Sequence, residues 1–353
     1  MRGRRVLVTG HTGFKGSWLS LWLDRLGAHV YGLALDPPTT PAMYDACRLD
    51  AVVDSTIADV RDLSAVRRVL DCAQPEVVFH LAAQPIVRVS YDEPVATYET
   101  NVMGTINVLE AVRATSSVRA VVVVTSDKCY ENREWNRSYH EGDPLGGHDP
   151  YSSSKACTEI AASAWARSFF GKRPGGPALA TARAGNVIGG GDWGVDRLVP
   201  DAARALQAGL DLEVRNPTSV RPWQHVLEPL HGYLTLAEWL VDAEPGFEGA
   251  WNFGPEEASM LPVCDLADRF VGLWGSGGWV DVSGGEVLHE AKLLKLDSAK
   301  ARAQLGWSPR LSLDDSLALT ADWYRRFYDG EDVHALTLEQ IDTYESAIEE
   351  LAR

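Results

Sequence analysis

Arg5-Val-Leu-Val-Thr-Gly-His-Thr-Gly-Phe-Lys-Gly16 decides the fold. Arg5 to Thr9 is a short β-branched apolar run that stops at Gly10, which predicts a buried strand. From Phe14 onward, Trp18, Leu19, Trp22, Leu23 and Leu26 recur at helical spacing and stop before Gly27, which predicts a helix. Between the two, Gly10, Gly13 and Gly16 follow a Gly-x-x-Gly-x-x-Gly pattern, with Phe14 inside it. The first glycines let the chain turn sharply and bring backbone N–H groups to a pyrophosphate. The last lets the helix pack close to the sheet, with its positive end toward the phosphates. Some glycine-rich strand-to-helix turns bind nothing. A strand before, a helix after and an acidic residue closing the next strand mark this one as a dinucleotide turn.

That acidic residue is Asp36, at the end of a second strand running from His29 to Leu35 and just before Pro37-Pro38. It lies about twenty residues past Gly16, where a carboxylate bonds the adenosine ribose hydroxyls and repels a 2′-phosphate, so NAD is expected over NADP. Taken alone, Asp36 would equally suit the start of a turn. Asp59 and Val60, following a third strand, are expected beside the adenine ring. Further along, the pattern predicts a helix over 64–71, a strand over 77–81, a helix over 97–114 and a strand over 120–125. The last of these has almost no polar residue and reads as buried on both faces, as in a parallel sheet. A helix from Tyr151 to about Phe170 and a strand over 179–184 follow. The alternation implies an α/β chain, a Rossmann-type doubly wound parallel sheet. Residues 1–186 are expected to form its NAD-binding domain, with parts of 226–254 packing back on it. Residues 187–353 should supply most of a smaller, mixed α/β substrate-binding domain, so the boundary is interleaved.

Composition narrows the functional classes. The net charge of −16 disfavours nucleic acid, whose phosphates need a basic face. It leaves room for a small anionic ligand held by a few local arginines. No apolar run is long enough to cross a bilayer. Arg2, Arg4 and Arg5 precede a strand and not a signal-peptide core, so a cytoplasmic protein is expected. The five cysteines include no Cys-x-x-Cys pair and the histidines no His-Glu-x-x-His pair, so neither structural disulfides nor a metal site is expected.

Chemistry concentrates further on. Tyr151 and Lys155 are four residues apart, so on a helix both project from one face. A free tyrosine is a poor base near neutral pH. A nearby ammonium and a positive nicotinamide ring favour the phenolate, which can then take a hydroxyl proton as hydride leaves the attached carbon. Such a pair is common by chance. It gains meaning by following a dinucleotide turn and a series of α/β units.

With these residues in place the chain resembles the extended short-chain dehydrogenase/reductases, in their sugar-nucleotide modifying branch. The resemblance runs over almost the whole chain, through Gly10 to Gly16, His80-Leu-Ala-Ala83, Asn101, Tyr151 with Lys155, and Arg183-Ala-Gly-Asn186. It implies that Leu81, Ala82 and Ala83 lie along the cofactor and that Asn101 supports the active-site helix at the cofactor. Without the family, His80 would read as strand-end packing and Asn101 as a helix cap. It also implies a homodimer, built on the helices 97–114 and 151–170.

Thr125-Ser-Asp-Lys-Cys-Tyr130 ends the apolar strand and should face the crevice at the carboxyl ends of the strands. Family epimerases usually carry small hydroxyl residues here and no acid. The 4,6-dehydratases carry a hydroxyl, an Asp and an ionisable partner, matched by Ser126, Asp127 and Lys128. A dehydratase must remove a C5 proton and protonate the departing C6 hydroxyl, which takes acid/base groups beyond Tyr151. Thymidine- and GDP-linked dehydratases usually read Thr-Asp-Glu. Ser-Asp-Lys-Cys-Tyr, Arg221-Pro-Trp-Gln-His-Val226 and Asp36-Pro-Pro-Thr-Thr-Pro41 are instead similar to the branch acting on CDP-glucose. Lys128 has two roles open to it: a neutral C5 base, or a charged group stabilising an enolate. Asp127 and Lys128 could also be a surface ion pair, and Cys129 reads as packing. Asn186, Arg197, Arg215 and Arg221 are the candidates for the sugar nucleotide's diphosphate and sugar. Two rivals stand beside this reading: a nucleotide-sugar 4-epimerase or decarboxylase, which needs Tyr151 and Lys155 but not Asp127, and a non-catalytic dinucleotide-binding protein.

Overall fold

The computed structural model describes residues 1–172, 175–242, 246–284 and 294–351. In chain order the first half runs β1 (Arg5–Thr9), α1 (Phe14–Arg25), β2 (His29–Ala34), α2 (Met43–Ala46), β3 (Val53–Ile57), α3 (Leu63–Ala73), β4 (Val77–His80), α4 (Val87–Asp92), α5 (Pro94–Tyr98), α6 (Gly104–Ala114), β5 (Ala120–Val124), α7 (Pro150–Trp165) and β6 (Ala178–Ala184). The second half runs β7 (Asn186–Ile188), α8 (Leu198–Gln207), β8 (Leu212–Val214), β9 (Val220–His225), α9 (Leu227–Val241), β10 (Gly249–Phe253), β11 (Met260–Pro262), α10 (Val263–Trp274), β12 (Trp279–Asp281), α11 (Leu313–Tyr328) and α12 (Val333–Leu351).

Seven strands form one parallel sheet in the order β10-β6-β5-β4-β1-β2-β3. The strand order reverses between β1 and β4, and a doubly wound sheet opens its ligand crevice at such a point. The central strands are apolar because helices cover both faces. Every residue of β5 is buried. One face packs Trp18, Trp22, Leu227 and Leu230 against the sheet, and the other packs Val66, Leu70, Val108, Leu109 and Val112. β3 reads Val-Asp-Ser-Thr-Ile because it is the sheet's edge, with only Val53 buried. It is the third strand expected ahead of Asp59, placed there without an apolar run of its own.

The helix expected over 97–114 is interrupted. α5 starts on Pro94 at its first turn, a π-helical turn follows at Glu99–Met103, and α6 then continues. α7 likewise runs into a π turn, Ala166–Phe170. Single π turns are often found at functional sites, and the first of these carries Asn101.

Two small sheets complete the cleft. One orders β11-β9-β7 with mixed pairing, and the other pairs β12 with β8 in parallel. β10 rejoins the large sheet beside β6. The C-terminal helix α12 docks on α1: Trp22 Nε1 donates to Glu345 (2.7 Å) and Arg25 pairs with Asp342 (2.9 Å). The buried carboxylate of Glu228 ties α9 to this end. It accepts from Tyr344 Oη (2.6 Å) and from the amides of Arg310 (2.8 Å) and Leu311 (2.7 Å).

The turn after β1 is as tight as its glycines imply. Gly10 has φ +75°, and a Cβ on Gly16 would stand 2.1 Å from the Gly10 carbonyl oxygen. Backbone atoms cannot yield that space cheaply. Gly16→Ala is therefore expected to destabilise the protein by about 3 kcal/mol, the upper end of an overpacking cost. Urea unfolding checks this, and an unchanged midpoint would contradict it.

Candidate active site

A cleft of about 800 Å³ opens at the carboxyl ends of the large sheet, between it and the small sheets. It gathers Gly10, Gly13, Phe14, Gly16, Asp36, Asp59, Val60, Leu81, Ala82 and Ala83 along one arm, and Asn186, Arg197, Arg215 and Arg221 along the other. Ser126, Asp127, Lys128, Tyr151 and Lys155 lie where the arms meet.

The first arm fits a dinucleotide. No side chain caps α1 and no acid sits in its first turn, whereas Asp62 caps α3 and Asp149 caps α7. The first N–H groups of α1 therefore remain available to an anion. A Cβ on Gly10 would meet the Ala82 amide at 2.8 Å, so the turn and the Leu81–Ala83 wall close on each other only around glycine. Asp36 stands exposed where the chain leaves β2. Asp59 accepts from Arg61 Nε (2.8 Å) and from the Arg61 amide (2.8 Å), and this pairing holds its carboxyl below the usual range. Asp36→Ser is expected to raise affinity for NADP relative to NAD by about tenfold, roughly 1.4 kcal/mol. Isothermal titration checks this, and an unchanged ratio would remove Asp36 from the ribose site.

His80 and Asn101 stand behind the wall. The buried His80 ring bridges Thr9 Oγ1 (2.7 Å) and Thr105 Oγ1 (3.0 Å), and burial drives its pKa down to about 3, so it is neutral. Asn101 is outside the cleft lining. Its Oδ1 accepts from the Gln84 amide (2.8 Å), and its Nδ2 donates to Gln84 O (3.1 Å) and Ser154 Oγ (2.9 Å). The π turn also exposes its carbonyl, which accepts from Thr158 Oγ1 (2.9 Å). Asn101 thus fixes α7 to the segment that follows β4 and borders the cleft.

At the junction, Ser126 Oγ donates to Asp127 Oδ1 (2.9 Å). Burial raises the Asp127 carboxyl above the usual carboxylate range, against the opposing charges of Lys128 and Lys15. Tyr151 is held at the start of α7, its amide donating to Ser90 Oγ (3.1 Å). Burial pushes the phenol up to about 12, opposed by a hydrogen bond with Ser126 and the charge of Arg197. Lys155 Nζ reaches Val124 O at 3.5 Å. Burial lowers its pKa to about 8, with Glu159 opposing. The sequence reading had Lys155 helping to draw the tyrosine down. In the protein alone, burial outweighs every such help.

On the second arm, Arg197 pairs with the buried Asp192 (2.7 Å) and Arg215 with Asp196 (2.7 Å). Arg221 borders a small side cavity with Asp127, Lys128 and Asn186. The sequence reading passed over Lys15, although a charged residue inside a phosphate-binding turn is a signal. Its ammonium lines the cleft, and burial with Arg197 lowers its pKa to about 8. Glu159, the partner of the motif residue Arg183, was also passed over.

A glycine-cradled dinucleotide arm, a Tyr-x-x-x-Lys helix and an arginine-bearing second arm define a short-chain oxidoreductase-type enzyme. The chain belongs to the NAD dependent epimerase/dehydratase family, whose model matches residues 6–254. It is 49% identical to the CDP-glucose 4,6-dehydratase of Salmonella typhimurium, over 98% of this chain and 97% of that one. Its structure is similar to the UDP-glucose 4-epimerase of Thermus thermophilus in complex with NAD, with TM-score 0.78 and 25% identity, over 92% of this chain and 99% of that one. It also shares its fold with the UDP-glucose 4-epimerase of Thermotoga maritima, with TM-score 0.80 and 23% identity, over 92% and 99%.

Proposed function

We propose that this enzyme converts CDP-glucose to CDP-4-dehydro-6-deoxyglucose and water. Gly10, Gly13, Gly16 and Asp36 would hold NAD, which would supply a hydride acceptor for C4 and a hydride donor for C6 with no net change in its oxidation state. Burial disfavours the Tyr151 phenolate, and the positive charge of an oxidised nicotinamide in the cleft would favour it. Tyr151 takes the C4 hydroxyl proton, and Ser126 orients that hydroxyl. The C4 ketone acidifies C5. Asp127 gives a proton to the departing C6 hydroxyl. Lys128 either takes the C5 proton as a neutral base and returns it to C5 when hydride reaches C6, or stays an ammonium holding the enolate charge while another group moves that proton. Arg197, Arg215, Arg221 and Asn186 hold the diphosphate and sugar.

The observation that carries this reading is Asp127. Burial keeps its carboxyl toward the protonated form, in the same cleft as Tyr151. A 4-epimerase returns hydride to C4 and has no use for such a donor. The relative at 49% identity supports the cytidine nucleotide. With equal CDP-, dTDP-, UDP- and GDP-glucose in one mixture, CDP-glucose should be consumed with a kcat/KM at least about tenfold above the others. Faster consumption of another nucleotide would overturn the assignment.

The enzyme acts as a homodimer in this reading. Val95, Met103, Ile160 and Phe169 are exposed on α5 to α7 and their π turns, and such apolar surface suits an interface. It works in the cytoplasm: its five cysteines are free, and no described helix is long and apolar enough to cross a membrane.

A further inference from the structure

One turn of helix beyond Lys155, α7 carries a buried acid that the reaction does not use. Glu159 is 4% exposed and Arg183 is 3% exposed. The carboxylate accepts from Arg183 Nε (2.9 Å) and Nη2 (2.7 Å), from Thr181 Oγ1 (2.6 Å) and from Thr125 Oγ1 (2.5 Å). Arg183 continues to Tyr130 Oη (2.7 Å), which donates to Asn252 Oδ1 (2.8 Å). One ion pair thus joins α7, β6, β10 and both ends of the turn that holds Ser126, Asp127 and Lys128. Thr125 and Tyr130 bracket that turn.

Buried pairs of this kind contribute little net stability, because desolvation offsets the attraction. Packing alone gives no reason to place one here. We propose that Glu159 is a positioning residue, which keeps Lys155 cationic and fixes the spacing between the tyrosine helix and the Ser126–Lys128 turn. The two proton-transfer steps are then coupled through one carboxylate. This rests on the dehydratase reading for the second step only.

Side chains four apart share a helix face, and Thr125, which donates to Glu159, directly follows Val124, whose carbonyl Lys155 Nζ reaches, so the carboxylate and the ammonium meet the same strand end. Besides Glu159, Cys129 acts on Lys155, while the Lys155 charge in turn lowers the pKa of His80 and of Lys15, and Tyr151 shares its helix face. Glu159 is the strongest of those favouring the charged form. Burial holds the Lys155 pKa at about 8, below its ordinary value, so losing the nearby anion must lower it further. The ammonium would then lose its proton at a lower pH.

Glu159→Gln alone strands a buried guanidinium, which risks unfolding. The decisive variant is Glu159→Gln with Arg183→Met, which removes both charges. It should unfold cooperatively and bind NAD and CDP-glucose as the parent does. Its kcat should fall at least about tenfold, with the alkaline limb moved down by about one pH unit. The pH dependence of Lys155 acylation, followed by peptide mass spectrometry, should move the same way and needs no substrate. A folded double variant with the parent's pH profile and acylation profile would overturn the proposal. Should that variant not fold, Glu159→Asp decides. It keeps the charge and shortens the reach to Thr125, so kcat should drop while KM and the alkaline limb stay. An unchanged kcat would overturn the proposal. Parent enzyme that leaves CDP-glucose untouched would instead overturn the dehydratase reading, and the acylation profile would still test Glu159.

Discussion

Asp127→Asn is expected to lower kcat by about 10²- to 10⁴-fold, the usual contribution of a general acid. The amide keeps the volume and can still accept from Ser126 Oγ, but it has no acidic proton for the departing hydroxyl. The steps before elimination depend on Tyr151 and Lys155, so CDP-glucose incubated with the variant in heavy water should still acquire deuterium at C5. The fold should not suffer. A carboxyl whose pKa is raised by folding costs stability once the pH exceeds its unfolded value, and the cost grows until the pH passes the folded value. Asp127 is such a group, raised mainly by burial. At neutral pH the asparagine variant should therefore match or exceed the parent in urea. A kcat within about threefold of the parent would remove Asp127 from the chemistry.

Tyr151→Phe should cost a similar factor, about 10²- to 10⁴-fold, and should divide the reaction differently. Without the phenol the C4 hydroxyl keeps its proton, no ketone forms and C5 stays unactivated. This variant should show neither the deoxy product nor C5 exchange, while NAD affinity stays near that of the parent. The two variants together therefore separate oxidation from elimination. Exchange at C5 in the tyrosine variant would show that the ketone forms without Tyr151.

Most of the cofactor arm was legible in the residues because each feature is local. A strand, three glycines and a helix are contiguous, and Asp36 closes the neighbouring strand. The doubly wound order followed from alternating apolar runs, since strands covered on both faces must be apolar. The third strand was expected only by its place before Asp59, and its bounds were not read because an edge strand may be polar. The breaks at Glu99–Met103 and Ala166–Phe170 escaped because a π turn leaves little mark on apolar spacing. The small sheets escaped as well. β7 and β11 are three residues each and take their pairing from partners far along the chain.

In the reaction centre, residue identity was legible and environment was not. Ser126, Asp127, Lys128, Tyr151 and Lys155 could be named from spacing and resemblance. The depth that raises Asp127 and Tyr151 and lowers Lys155 exists only once the sheets close over them. Glu159 and Arg183 show the same limit. Twenty-four residues separate them, and only the β5–β6 pairing brings the motif arginine under the tyrosine helix.

The most direct measurement is proton NMR of CDP-glucose with the purified enzyme in heavy water. A new C6 methyl signal, deuterium at C5 and no net change in the oxidation state of NAD are the expected result. A C4 epimer alone would make the protein an epimerase and Asp127 a structural residue. An unchanged sugar with NAD still bound would leave a dinucleotide-binding protein without this activity.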